Sequence, residues 1–337
     1  MMKNTQVALA VVLVTLASSA AAQSNVNVYG VVDTAIGREY DSEAGTNMLS
    51  SYTGTTLLGF RGSEDLGNGL KANFQLEAAG MESDTGAWGG GFGRQSWVGL
   101  SGGFGDVMVG RTTTPQNRIM GTFDLNGTAA SSALGVLGVA ANGAFQGSRQ
   151  SNQIQYATPT MSGFQARIAY GFSETVSGTS GDKKDFLQLA ASYKAGGLTL
   201  GAAFQPKSYS RQDAAGDANF RNGYSLGAKY NFGVAEASVI YIRDEDRRTG
   251  DAVGVGVAAP LGAFQVGAQF ARLINVKNAD GTKSAKEGAN AYELFANYSL
   301  SKRTALYAAY GSINAKAERA LALPRDNTFA LGVTHKF

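Results

Sequence analysis

"NTFALGVTHKF", residues 327–337, puts Phe329, Leu331, Val333, His335 and Phe337 on one face of an extended chain and Thr328, Ala330, Gly332, Thr334 and Lys336 on the other. An apolar face that runs to the final residue frays, or recruits another chain, unless both of its edges are paired. This segment therefore reads as a strand with a neighbour on each side, and the remaining sequence has to supply both.

The same two-faced alternation recurs along the chain. Leu70, Ala72, Phe74 and Leu76 oppose Lys71, Asn73, Gln75 and Glu77; Ile154 and Tyr156 oppose Gln153 and Gln155; Phe164, Ala166, Ile168 and Tyr170 oppose Gln165 and Arg167. It continues through Leu187, Leu189, Ala191 and Tyr193, then Tyr224, Leu226, Ala228 and Tyr230, then Tyr292, Leu294, Ala296 and Tyr298 opposite Glu293 and Asn297. A period of two with one reliably polar face is the mark of half-wetted strands.

Short turns marked by Gly or Pro fall near 63–69, 101–105, 159–163, 195–197, 231–233, 260–263 and 301–303. Longer polar or small-residue stretches lie between them at 38–54, 78–92, 115–148, 172–185, 206–222, 243–251, 274–290 and 312–327. Strict alternation of short and long connections implies antiparallel hairpins, about sixteen strands, with both ends of the sheet on the short-turn side. That asymmetry is the plan of an all-β transmembrane antiparallel barrel. Packed soluble sandwiches or a propeller would turn the apolar faces inward, whereas Tyr170, Tyr193, Tyr230 and Phe337 at strand ends suit interfacial aromatic girdles. In a closed barrel the last strand meets its hairpin mate on one side and the first strand, "VNVYGVVDTAIG" (26–37), on the other.

The first residues, "MMKNTQVALAVVLVTLASSAAAQ", combine Lys3, an apolar run from Val7 to Leu16 and a small-residue site before Gln23, which reads as a secretory signal peptide over 1–22 and a barrel domain over 23–337. The apolar run is too short to span a bilayer. The chain has no cysteine, so export does not bring disulfides, and a single histidine, His335, argues against a Ser–His hydrolase and against multi-histidine metal sites. No enzyme, cofactor or metal is expected. Loss of Lys3 takes the 29 basic residues to 28 against 26 acidic ones, too small an excess to suggest nucleic acid.

Several segments resemble the general porins of Gram-negative bacteria, particularly those of β-proteobacteria: "VNVYGVVDTAIG", "LGFRGSEDLGNGLKANFQLE" (58–77), "FGRQSWVGLSGGFGDVMVGR" (92–111), "YNFGVA" (230–235), "LSKRTALYAAYG" (300–311) and the terminal Phe337. The resemblance implies a homotrimer of sixteen-stranded barrels in the outer membrane, surrounded by lipid and lipopolysaccharide, each with a water-filled pore for ions and small hydrophilic solutes. It also implies that the barrel-assembly machinery reads Phe337. The third external loop, here 115–148, is expected to fold inward and narrow the pore, its apolar run 133–141 packing inside rather than crossing lipid.

The family sets arginines on the wall facing this loop. Arg94 and Arg149 match those positions, Arg94 on a register that turns Trp97 outward and Arg149 in step with Gln153 and Gln155. Leu57 stands where a further arginine is usual, with Arg61 and Arg111 on the inward register nearby; Asp124 matches an acidic position at the loop's start and Glu77 a lumen carboxylate. Because 125–148 carries no charge before Arg149, a weak to moderate anion preference is expected. The alternatives are a substrate-selective channel or a surface-binding protein acting through its long external loops. Residues 243–248, "RDEDRR", read as a solvated loop of mixed charge; attraction of divalent cations or lipopolysaccharide phosphates is the second reading.

Overall fold

The computed structural model describes residues 25–140, 147–172, 185–209, 222–244, 250–278 and 280–337. The expected signal peptide and most of the stretches 172–185, 206–222 and 243–251 lie outside them.

The strands are β1 (Asn25–Arg38), β2 (Asn47–Ser50), β3 (Leu57–Gly67), β4 (Leu70–Ala79), β5 (Gln95–Gly102), β6 (Gly105–Thr113), β7 (Arg149–Ala157), β8 (Phe164–Gly171) and β9 (Phe186–Ala195). They continue with β10 (Leu198–Gln205), β11 (Gly223–Asn231), β12 (Glu236–Asp244), β13 (Asp251–Leu261), β14 (Phe264–Ile274), β15 (Asn290–Ser299), β16 (Thr304–Ile313) and β17 (Asn327–Lys336). Among the described residues three α-helices lie in the long connections: α1 (Pro115–Phe123), α2 (Ala133–Ala140) and α3 (Ala315–Leu321). The pairings are antiparallel throughout and follow the order of the chain, and β17 closes on β1 from Arg38↔Phe329 to Val31↔Lys336.

The barrel has sixteen staves, because β2 and β3 form one of them. β1 pairs with β2 from Gly37↔Asn47 to Thr34↔Ser50 and with β3 from Val31↔Leu57 to Asn25↔Ser63. Between these segments three steps along β1, Thr34 to Val31, face seven along its partner, Ser50 to Leu57. The surplus buckles inward. Asp33 of β1, fully buried, accepts hydrogen bonds from the Tyr52 N–H (2.9 Å), the Thr53 hydroxyl (2.6 Å), the Gly54 N–H (3.1 Å) and the Tyr307 hydroxyl (2.8 Å). The expected first loop over 38–54 is thus shorter, and its second half is strand plus buckle. The sequence hid this because a carboxylate takes over the bonds that an unbroken ladder would have made.

Outward positions carry the apolar residues: Val26, Val28, Val98, Leu100, Leu226, Leu294 and Leu331 are all exposed to the surroundings of the barrel. Inward positions are polar, small or loop-covered, Gln153, Gln155, Gln188 and Gln205 among them. A closed ladder leaves no backbone group unpaired in hydrocarbon, which an open sheet edge there would.

Phe337 completes the closure. Its N–H donates to the Gly30 carbonyl and its carbonyl accepts from the Gly30 N–H, both at 3.1 Å. Its ring lies over Gly30 so closely that an added Cβ would stand 2.3 Å from it. Deleting Phe337 removes two seam bonds and one girdle ring. The expected outcome is a marked drop in assembled barrel on gels run without boiling, while the channels that do form keep their conductance; normal assembly with altered ion selectivity would contradict this placement.

Candidate functional site

The third external connection starts at Thr114, whose hydroxyl accepts the Asn117 N–H (3.3 Å) and caps α1, with Pro115 at its first turn. The helix turns Ile119, Met120 and Phe123 to the inner faces of β9–β12. Phe123 fits over Gly201 and Gly227, where a Cβ would meet its ring at 2.8 and 2.3 Å. Both glycines alternate with outward Leu200 and Leu226, so the ring is inside the barrel. The Gln116 N–H donates to Gln188 Oε1 (3.0 Å), and Ser225 Oγ donates to Gln116 Oε1 (2.7 Å). Leu134 of α2 fits over Gly254, and α2 lies on β13–β15. The expected apolar loop over 133–141 is a helix as far as Ala140; residue 141 lies outside the described residues.

Two carboxylates hold this loop to the wall. Asp124 accepts from the Asn126 N–H (3.0 Å), Ser132 Oγ (2.5 Å) and Gln269 Nε2 (2.9 Å). Glu293, on the inner face of β15, accepts from Asn126 Nδ2, Ser131 Oγ and Gln269 Nε2, each at 2.7 Å. Asp124 is only 6 % exposed. It is a fastening of the loop and not a carboxylate presented to the pore, a change of role that follows from Gln269, Ser132 and Asn126 enclosing it.

The arc opposite, β3 to β8, carries the cations. Arg61 of β3 lies over the Tyr29 ring, 4.9 Å from its centroid. Arg94 sits immediately before β5, donates to Glu77 Oε2 (3.4 Å) and to Thr55 Oγ1 (2.9 Å), and so uses the inward buckle as a bracket. Glu77 also accepts from the Tyr29 hydroxyl (2.7 Å) and Gln75 Nε2 (2.8 Å), which leaves its charge well engaged. Arg149 lies in the field of Arg94, Glu77 and Arg111. Arg167 of β8 donates to Gln155 Oε1 (2.8 Å) and lies in the field of Asp106. Arg118 of α1 leans across towards Thr112 Oγ1 (3.5 Å); burial first, then the charges of Arg167 and Arg149, pushes its guanidinium down to about 10, still cationic at neutral pH. Asn25, Asn27, Arg61, Trp97, Arg118 and Arg167 line a lumen cavity of about 600 Å³.

Three registers differ from the expectation. Trp97 pairs with Gln75 and faces the lumen, not lipid. Arg94 lies just before the strand, where alternation no longer fixes direction, and reaches the lumen through its contact with Glu77. Arg111 pairs with Ser96, which shares a face with exposed Val98, so it sits on the outward register; its guanidinium donates to the Gly93 carbonyl (2.5 Å) and Ser151 Oγ (2.9 Å) at the rim. A bulge lies beside it: Gly110↔Gln153 and Thr112↔Gln150 match two steps to three, with Asn152 at φ 51°, and a one-residue insertion swaps faces. Alternation from Gln153 therefore does not carry through to Arg149. Leu57 is inward and buried, between Val31 and Ala79. Arg118 and Arg167 were not singled out from the sequence. Arg167 was legible from its alternation with Phe164 and Ile168, whereas Arg118 required the fold of the loop.

The family model described as Gram-negative porin matches residues 8–318. The chain belongs to the Gram-negative porins. This porin is 35 % identical to outer membrane porin protein 32 of Delftia acidovorans over 98 % of its own length and 95 % of the relative's. It is 30 % identical to an outer membrane porin protein of Bordetella pertussis over the whole of both chains. Among solved structures, the anion-selective porin from Comamonas acidovorans superposes with a TM-score of 0.72 at 30 % identity, covering 94 % of the porin and all of that chain. OmpT of Vibrio cholerae, at 16 % identity and a TM-score of 0.62 over 93 % of the porin and 98 % of that chain, shares the fold. The porin is an outer-membrane protein whose sixteen-stave barrel forms a channel across that membrane.

Proposed function

We propose that this porin is a trimeric general diffusion channel with an anion-preferring constriction, and that it performs no catalysis. The observation that carries the reading is the division of the lumen. Arg61, Arg118 and Arg167 line one lumen cavity, Arg94 bonds to Glu77 and Arg149 lies in the field of both, while the loop residues from 125 to 140 carry no charge and Asp124 is buried in its own hydrogen bonds. Glu77 and Asp106 offset part of that charge. A narrow passage with low-dielectric walls focuses such a field and enriches the counter-ion. The relative solved from Comamonas acidovorans, described as anion-selective, supports the same sign. In this reading Arg61, Arg94, Arg149 and Glu77 act at the constriction together with Arg118 and Arg167, and Arg111 acts from the rim.

Reversal-potential recording across a planar bilayer tests the proposal. Under a KCl gradient centred on 0.1 M the zero-current potential is expected on the anion side, moving towards zero near 1 M as the Debye length falls from about 10 Å to about 3 Å. Cation preference at 0.1 M would overturn it.

A further inference from the structure

Between α1 and the short-turn end of the barrel, the lumen cavity lined by Arg61, Arg118 and Arg167 also contains Trp97, which carries no charge for an ion to follow. The volume, about 600 Å³, is that of a small-molecule site. Trp97 Nε1 is shut off from solvent and has no partner among the described residues, so what the side chain offers the cavity is ring carbon. On the same inner face its neighbours are Gly99 along β5 and Gly110 across on β6, and neither puts a side chain beside the ring. Apolar surface on a wetted wall is unfavourable unless something covers it.

The charges around the ring are one-sided. Asp106 is the only carboxylate among the described lining residues, against three guanidiniums. Arg61 already lies over the Tyr29 ring. Arg118 and Arg167 lie in each other's field, and among the described residues neither has a carboxylate at ion-pair distance: Arg118 reaches Thr112 Oγ1 (3.5 Å) and Arg167 donates to Gln155 Oε1 (2.8 Å). Arg118, though hemmed in by protein, keeps exposed surface in the lumen. Ring carbon beside two guanidiniums that lack a carboxylate complements a flat solute with a ring at one end and a carboxylate at the other, since the indole stacks on the ring and the guanidinium fork matches the carboxylate.

We infer that this cavity is a seat for small aromatic carboxylates of the benzoate class, the ring against Trp97 and the carboxylate between Arg118 and Arg167. The inference rests on the anion-preferring lumen proposed above and adds a preference for a planar ring, which net charge does not supply. Such a seat favours passage of a dilute solute as long as release stays easy. The chain has two tryptophans, and Trp88 is exposed in the connection after β4, so Trp88→Phe leaves Trp97 as the single reporter. Titration of the detergent-solubilised Trp88→Phe porin with 4-nitrobenzoate is expected to quench its fluorescence saturably, whereas the uncharged 4-nitrobenzyl alcohol quenches weakly and without saturation. Benzoate is expected to displace 4-nitrobenzoate at a concentration about fivefold lower than cyclohexanecarboxylate, which has the same charge and a puckered ring. Arg118→Ala/Arg167→Ala in the same background is expected to weaken binding about tenfold or more, with the emission maximum of Trp97 unchanged. Quenching without saturation, equal displacement by the two acids, or undiminished binding in the double variant would overturn the seat. Reversal potentials of the same preparations in KCl separate the two readings: equal displacement with anion preference intact removes the aromatic seat alone, and cation preference with saturable, ring-selective binding removes the proposed constriction and upholds the seat.

Discussion

Replacing Arg94 and Arg149 together by alanine is expected to move the zero-current potential strongly towards the cation side. A unit charge about 7 Å from a permeating ion contributes about 0.6 kcal/mol in a water-filled lumen, and salt at 0.1 M roughly halves that. Two charges act on anion and cation with opposite sign, so the permeability ratio is expected to fall on the order of five- to tenfold. The loss of Arg94 also exposes Glu77, which would keep only Tyr29 and Gln75 as side-chain donors, and this adds to the same shift. Arg118→Ala introduced on that background is expected to move the potential further, because Arg118 stands on the loop side of the same passage. The comparison at 1 M KCl, where the shift should shrink, distinguishes charge from a change of pore shape. A double variant with wild-type reversal potential at 0.1 M would show that these arginines do not face the ion path.

Converting Asp124 and Glu293 to alanine together is expected to release the third loop. Five donors then lose their acceptors: the Asn126 N–H and Nδ2, Ser131 Oγ, Ser132 Oγ and Gln269 Nε2. A buried donor left unsatisfied costs about 1–3 kcal/mol; lumen water relieves part of this once the loop moves, so about 3–5 kcal/mol in total is expected. The measurable results are a larger and noisier single-channel conductance and a lower temperature for loss of the folded band in detergent. Glu293→Gln, which keeps an acceptor oxygen, should remain close to wild type. Wild-type conductance in the double alanine variant would mean that Phe123 on Gly201 and Gly227, with Leu134 on Gly254, holds the loop without help.

The barrel was legible in the sequence because it rests on local chemistry. A strand shows its two faces at a period of two, and hydrocarbon outside with water inside keeps those faces distinct from Val26 to Leu331. Short Gly- and Pro-marked turns alternating with long loops set the order of hairpins, and Phe337 on the greasy face required a closed seam. The site was only partly legible. Arg61 and Glu77 followed from alternation, which could also have yielded Arg167, but Arg111 and Trp97 fell on the opposite faces from those expected. Counting by twos fails across a bulge such as the one at Asn152, and it fixes nothing for Arg94, which lies just before its strand. The buckle at 51–56 and the burial of Asp124 were set by partners far away in sequence, Asp33, Gln269 and Glu293 among them. Which carboxylates face the pore and which fasten the fold is decided by what the closed barrel brings opposite them, and no local pattern of residues records that.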